Sequence, residues 1–356
     1  MGTMTRHLPG LLALLALLAL AACPDPTDDD DDDTADDDDA ADTVEIPDEC
    51  SATFESEAFT VRREQLSSLD APSWVDYAPA DSAIVWTSEA STGHCAFLWH
   101  GGQLRAATVL SEPPSLFFGA YGWLIPYEGT FLDFAVSQPD ELRDWVLEAG
   151  SDRATLFPVE SSYSALDQLR LPIHEAFHVD IQIDAWFGSS ETWMSWSSPL
   201  LADDLATRLC YEGGSAELAA LVAGLDGDCP AAASYLELRD ARRVSQAESG
   251  VTVTIPDGGS RSCTEAERIW ESFEGLADWA SLGMLDRAGL VEPSELSSYL
   301  LAVAERPYYR PALAKMIWMD RAGSDVEGLV ESMVEEDSLE RSIDWYFAQE
   351  VAAHCD

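Results

Sequence analysis

The sequence predicts an α+β fold, strand-containing over residues 51–163 and mainly helical over 164–356. Two patterns and one absence lead there. Short apolar runs bounded by Gly, Ser or Pro occupy the first part. Apolar residues recur at helical spacing in the second, and no internal repeat divides the chain. Ala83-Ile84-Val85-Trp86, Cys95-Ala96-Phe97-Leu98-Trp99 and Tyr121-Gly122-Trp123-Leu124-Ile125 read as strands. Pro139 to Gly150 reads as a helix, opened by Asp140-Glu141, with Leu142, Trp145 and Val146 on its apolar face. Helical spacing then links Leu166, Leu169, Ile173, Phe177 and Ile181, and again Leu218, Leu221, Val222 and Leu225. Val251 to Ile255 alternates and reads as an isolated strand before the Pro256-Asp257-Gly258-Gly259 turn.

Of 356 residues, 19 are basic and 66 acidic, a formal charge of −47. At 47% hydrophobic, with 12 tryptophans, the chain has material for a core, which excludes collagenous and wholly disordered classes. A body this acidic repels phosphates, so nucleic acid is excluded as a partner, as is a polybasic membrane-binding surface. Residues 24–50 hold 15 acidic side chains and no basic ones; residues 51–356 hold 51 acidic against 18 basic. Lys315 is the single lysine. Such a surface suits a salty external medium, where self-repulsion is screened.

The first 22 residues read as an export signal: Arg6, then twelve leucines and alanines from Leu11 to Ala22. That run is too short to span a bilayer. Leu20-Ala21-Ala22-Cys23 resembles the lipobox of bacterial lipoproteins, which implies lipidation of Cys23 and an envelope location, at the outer membrane or cell surface. Ala19-Leu20-Ala21 also fits an ordinary cleaved signal. Residues 23–50 then form an Asp-rich tether, because Asp28–Asp33 and Asp36–Asp39 repel one another and bury nothing. Calcium binding is the weaker reading of these runs: an EF-hand loop needs a glycine at position six and a glutamate at twelve, and they offer neither.

With Cys23 lipidated, six cysteines remain: Cys50, Cys95, Cys210, Cys229, Cys263 and Cys355. In an exported chain they point to up to three disulfides, with pairing open. No C-x-x-C spacing is present. Nor is there a G-x-S-x-G elbow, an S-x-x-K motif or a Walker loop. His94, His100 and His354 lack acidic or histidine partners at ligand spacing.

The sharpest signal is His174-Glu175-Ala176-Phe177-His178, H-E-x-x-H within an apolar helical stretch. Histidines four apart project from one helix face. Two imidazoles so placed can take two corners of a Zn2+ tetrahedron. Glu175 lies about 100° round the helix. There it can take the proton of a water that the metal has acidified.

Downstream comes Glu274-Gly275-Leu276-Ala277-Asp278. Together with H-E-x-x-H it resembles the gluzincin metallopeptidases, in which a glutamate of a later helix, in E-G-x-A or E-x-x-x-D, completes the metal site. The resemblance implies Glu274 as third ligand and Asp278 as the carboxylate that orients His174. It also implies an oxyanion donor, for which Tyr308 and Tyr309 are the candidates and Tyr211 a weaker one. The separation of His178 from Glu274 exceeds that of thermolysin-like enzymes. Glu212 and Glu217 are rival third ligands, though neither has an acid four residues later. The order H-E-x-F-H with Gln182, Glu217 to Leu221, Arg239, Arg242 and Arg243, then Glu274 to Trp279 also resembles a group of bacterial secreted proteins over roughly residues 165–320.

The expectation is therefore a membrane-anchored Zn2+ metallopeptidase that hydrolyses peptide bonds, with Glu175 as general base. The alternatives are a non-catalytic envelope lipoprotein with a structural or vestigial zinc site, serving in binding or adhesion, and hydrolysis of a non-peptide amide.

Overall fold

Alternation of side chains along the central strands decides how the sheet is used. The computed structural model describes residues 44–67, 69, 77–116, 122–125, 138–159, 164–182, 210, 214–254, 260–302, 309–335 and 342–355. Among them, residues from Val44 to the C-terminus form one unit. The signal, Cys23 and the Asp runs lie outside the described residues. The fold is α+β, as the sequence predicts.

Short helices α1 (Ser51–Phe54) and α2 (Glu57–Ser67) precede strands β1 (Ile84–Glu89), β2 (His94–His100), β3 (Gln103–Leu110) and β4 (Gly122–Leu124). Helix α3 (Asp140–Glu148) and strand β5 (Ala154–Pro158) come next. The sheet order is β3-β2-β1-β5-β4. Strand β1 pairs antiparallel with β2 and parallel with β5, and β4 closes the edge antiparallel to β5, with Trp123 opposite Thr155. Ile84, Trp86, Phe97 and Phe157 bury one face against the helices; Val85, Leu98 and Leu156 bury the other against Leu142 and Val146 of α3. A sheet covered on both faces needs apolar residues at every position, which is why β1 and β2 read as continuous apolar runs. Strands β3 and β5 were not read from the sequence; β3 interleaves polar Gln103, Arg105 and Thr108 with apolar residues, and β5 spans Ala154–Pro158.

The back comprises α4 (Ala165–Phe177), α5 (Gly214–Val222), α6 (Cys229–Ser249), strands β6 (Thr252–Thr254) and β7 (Ser260–Ser262), and α7 (Cys263–Asp278). Then come α8 (Met284–Arg287), α9 (Pro293–Leu301), α10 (Tyr309–Arg321), α11 (Val326–Glu335) and α12 (Ile343–Cys355). The strand expected in isolation, β6, pairs with β7; an unpaired strand would leave its backbone groups without partners. Helix α7 opens with a reciprocal cap between Ser262 and Glu265. Gly275 is required where α7 meets α10: a Cβ there would lie 2.2 Å from that of Ala312.

The disulfides are Cys50–Cys95, Cys210–Cys263 and Cys229–Cys355. They close loops of 45, 53 and 126 residues. By chain entropy each stabilises the fold by about 4–5 kcal/mol.

Candidate metal centre

Helix α4 is anchored before it offers any chemistry. Ser164 caps it by accepting from the Asp167 N–H. Pro172 inside it removes one internal hydrogen bond, at a cost of about 3 kcal/mol. Two bonds from the front of the molecule grip the segment that carries the histidines. The Tyr77 hydroxyl donates to the Ile173 carbonyl at 2.9 Å, and Arg153 Nη1 donates to the Val179 carbonyl at 3.0 Å. The helix runs on into a π-helical turn, His178–Gln182, and α7 likewise continues into one, Trp279–Gly283. Such turns insert a residue into a helix and so re-aim its side chains.

Folding brings three of the expected residues to one point. His174 Nε2 lies 3.1 Å from Glu274 Oε2 and 3.1 Å from His178 Nε2, and His178 Nε2 lies 3.4 Å from Glu274 Oε2. All three side chains are buried. They form a group that could hold a metal ion. The rings of His174 and His178 meet edge to face, and Phe273 stacks on His178 at 4.2 Å.

Asp278 reaches His174 from α7: its Oδ1 is 2.9 Å from His174 Nδ1. Arg170, one turn before His174, approaches the same carboxylate at 3.6 Å, and the Tyr299 hydroxyl donates to it at 3.2 Å. Burial alone would raise the Asp278 pKa; the His174 hydrogen bond and the arginines outweigh it and hold the value at about 2. Asp278 is then an acceptor only, so Nδ1 of His174 carries the proton and Nε2 of the neutral ring is a lone pair. Glu274 is held at about 2 by the two histidines, against the effect of burial. For His174, burial lowers the pKa, but Asp278, Glu274 and Glu175 together raise it to about 9. The physical cause is plain: acceptors converge, and without a cation a proton is drawn in to hold them.

Glu175 is buried, and its Oε2 accepts from the Trp123 indole N–H at 3.1 Å. The edge strand β4 thus reaches the centre. Of the rival ligands, Glu217 is elsewhere: Arg242 holds it at 2.8 Å. Glu212, Tyr211, Tyr308 and the side chain of Tyr309 lie outside the described residues. Sequence reasoning missed Trp123, Arg170 and Tyr299. Arg170 had a signal, lying four residues before His174 on the same face. Trp123 and Tyr299 had none, because only tertiary folding brings them near.

The chain has no match among protein-family models, curated proteins or solved structures. Among the described residues, no helix is long and apolar enough to cross a membrane.

Proposed function

We propose that this protein is a zinc-dependent metallopeptidase, held at a bacterial envelope by lipid on Cys23. The carrying observation is the triangle of His174 Nε2, His178 Nε2 and Glu274 Oε2, with edges of 3.1, 3.1 and 3.4 Å. A zinc tetrahedron with bonds of 2.0–2.1 Å has edges of about 3.3 Å. The donor set, two imidazoles and a carboxylate, is that of open catalytic zinc sites rather than closed structural ones. Peptide as substrate rests on the order H-E-x-x-H followed by E-G-L-A-D, which resembles gluzincins.

A bound zinc would act as a Lewis acid and lower the pKa of water. The chain's own residues do the rest. Asp278 fixes His174 through its Nδ1–H. Glu175, one residue from His174, takes a proton from water and passes it to the leaving amine, while Trp123 holds one of its oxygens. Tyr309, first residue of α10, is assigned the oxyanion donor.

A second reading, a structural zinc in a binding module, draws on the burial of all three ligand side chains. One set of variants separates them. Glu175→Gln should keep fold and zinc while peptide hydrolysis falls about 10²–10⁴-fold. Glu274→Ala should lose the zinc. Full hydrolysis by Glu175→Gln sinks the mechanism; no hydrolysis by zinc-loaded wild type leaves the structural reading.

A further inference from the structure

We infer that Gln182 is the positioning residue of His178, and that it transmits to the ring a tautomer dictated by the main-chain carbonyl of Phe273. The inference adds a residue to the centre described above, and its first test does not depend on any metal.

The chain of bonds has a fixed direction. The Phe273 carbonyl can only accept, and it lies 2.9 Å from Gln182 Nε2, which donates. The carboxamide is thereby oriented, with its oxygen turned the other way. That oxygen, Oε1, contacts His178 Nδ1. An amide oxygen can only accept, so Nδ1 carries the proton. In the neutral ring Nε2 is then the lone-pair nitrogen, and Nε2 is the atom that faces His174 and Glu274. Had the amide been free to turn, its NH2 could face Nδ1, and the proton would move to the side where a cation must bind. Gln182 has no solvent exposure, so water does not compete for either end.

The placement belongs to the π-helical turn, which starts at His178 and ends at Gln182. It also ties the two ligand helices together. Phe273 immediately precedes Glu274 and stacks on the His178 ring with planes 11° apart. One short segment of α7 therefore supplies the third ligand, the ring's stacking partner and the carbonyl that sets its proton. The two histidines are thus oriented by different means, His174 by a charged carboxylate and His178 by a neutral amide. A second carboxylate behind His178 would add another buried negative charge.

The test uses the full chain with 15N-labelled histidine, the His178 signals being assigned by their loss in His178→Asn. In metal-free wild type at one fixed pH, Nδ1 should be the protonated nitrogen. Gln182→Leu should lose that preference and bind zinc about 10–100-fold more weakly. Wild-type tautomer in Gln182→Leu overturns the inference, even with weakened zinc binding, because the side chain would then be packing only. A wild-type His178 protonated on Nε2 instead overturns it too. If wild type takes up no zinc while Gln182→Leu scrambles the tautomer, the positioning role stands and the metallopeptidase reading falls.

Discussion

Two buried polar clusters meet the same stripe of helix α7, and they solve the problem of buried charge in opposite ways. Glu267, Glu271, Glu274 and Asp278 are spaced four, three and four apart, so all four line one face, and all four are buried. The first pair belongs to a balanced network. Arg242 contacts Glu217 and Glu267 at 2.8 and 2.6 Å, and Arg243 contacts Glu267 and Asp344 at 3.1 and 2.7 Å. Lys315 contacts Glu271 and Asp344 at 2.7 and 2.9 Å, and Arg239 adds a further bond to Asp344 at 2.8 Å. Four carboxylates face four fixed cations. The second pair faces imidazoles instead. Its arginines, Arg170 and Arg310, act on Asp278, while Glu274 is held by the histidines. Glu175 adds a third carboxylate. Three carboxylates against two arginines leave net negative charge, the sign that a bound cation would offset.

Removing a cation from the balanced cluster should have the largest effect on stability. Lys315→Met leaves Glu271 and Asp344 buried without their shared ammonium, and should cost about 3–5 kcal/mol. Chemical denaturation checks this. Burial already pushes the Glu271 carboxyl up to about 7, despite Lys315. Zinc affinity should be unchanged; if it falls with stability, the two clusters are not independent.

The deficient cluster should show itself through pH. In the metal-free protein His174 has a pKa of about 9, above its ordinary 6.5. A raised histidine stabilises the fold fully below pH 6.5, and that contribution is lost as pH rises through about 9. The loss should be on the order of 3 kcal/mol. Urea unfolding of metal-free wild type against His174→Gln isolates it. A flat profile in wild type between those values would mean that the carboxylates do not demand a cation.

The smallest effect sharpens the shared helix itself. Gly275→Ala drives a methyl into Ala312 and should cost about 1–3 kcal/mol by overpacking. Since Gly275 is the residue after Glu274, zinc affinity should fall with it, and recover in part when Ala312→Gly is added.

The candidate ligands were legible because spacing encodes them. His174 and His178 are one turn apart, as are Glu274 and Asp278, and a helix turns such intervals into a common face. Glu217 was a weaker rival, with no acid four residues later, and the structure removes it by placing Arg242 of α6 against it. The glycine of E-G-L-A-D read as part of a metal motif; in the fold it is also a point of helix contact. Strands β1 and β2 were legible because both their faces are buried, which makes them continuous apolar runs. The edge strand β3 was not, for exposed Gln103 and Arg105 interrupt its apolar residues.

The sequence by itself determined the α+β division, the helical pairing of the histidines and the surplus of acidic charge. Local spacing and composition are properties of the chain, and they survive any arrangement of the parts. Tertiary structure alone decided which three of fifteen disulfide pairings form, which carboxylate meets the histidines, and which meet arginines. Those choices depend on distances between residues up to 126 positions apart, which are set by packing the helices against one another.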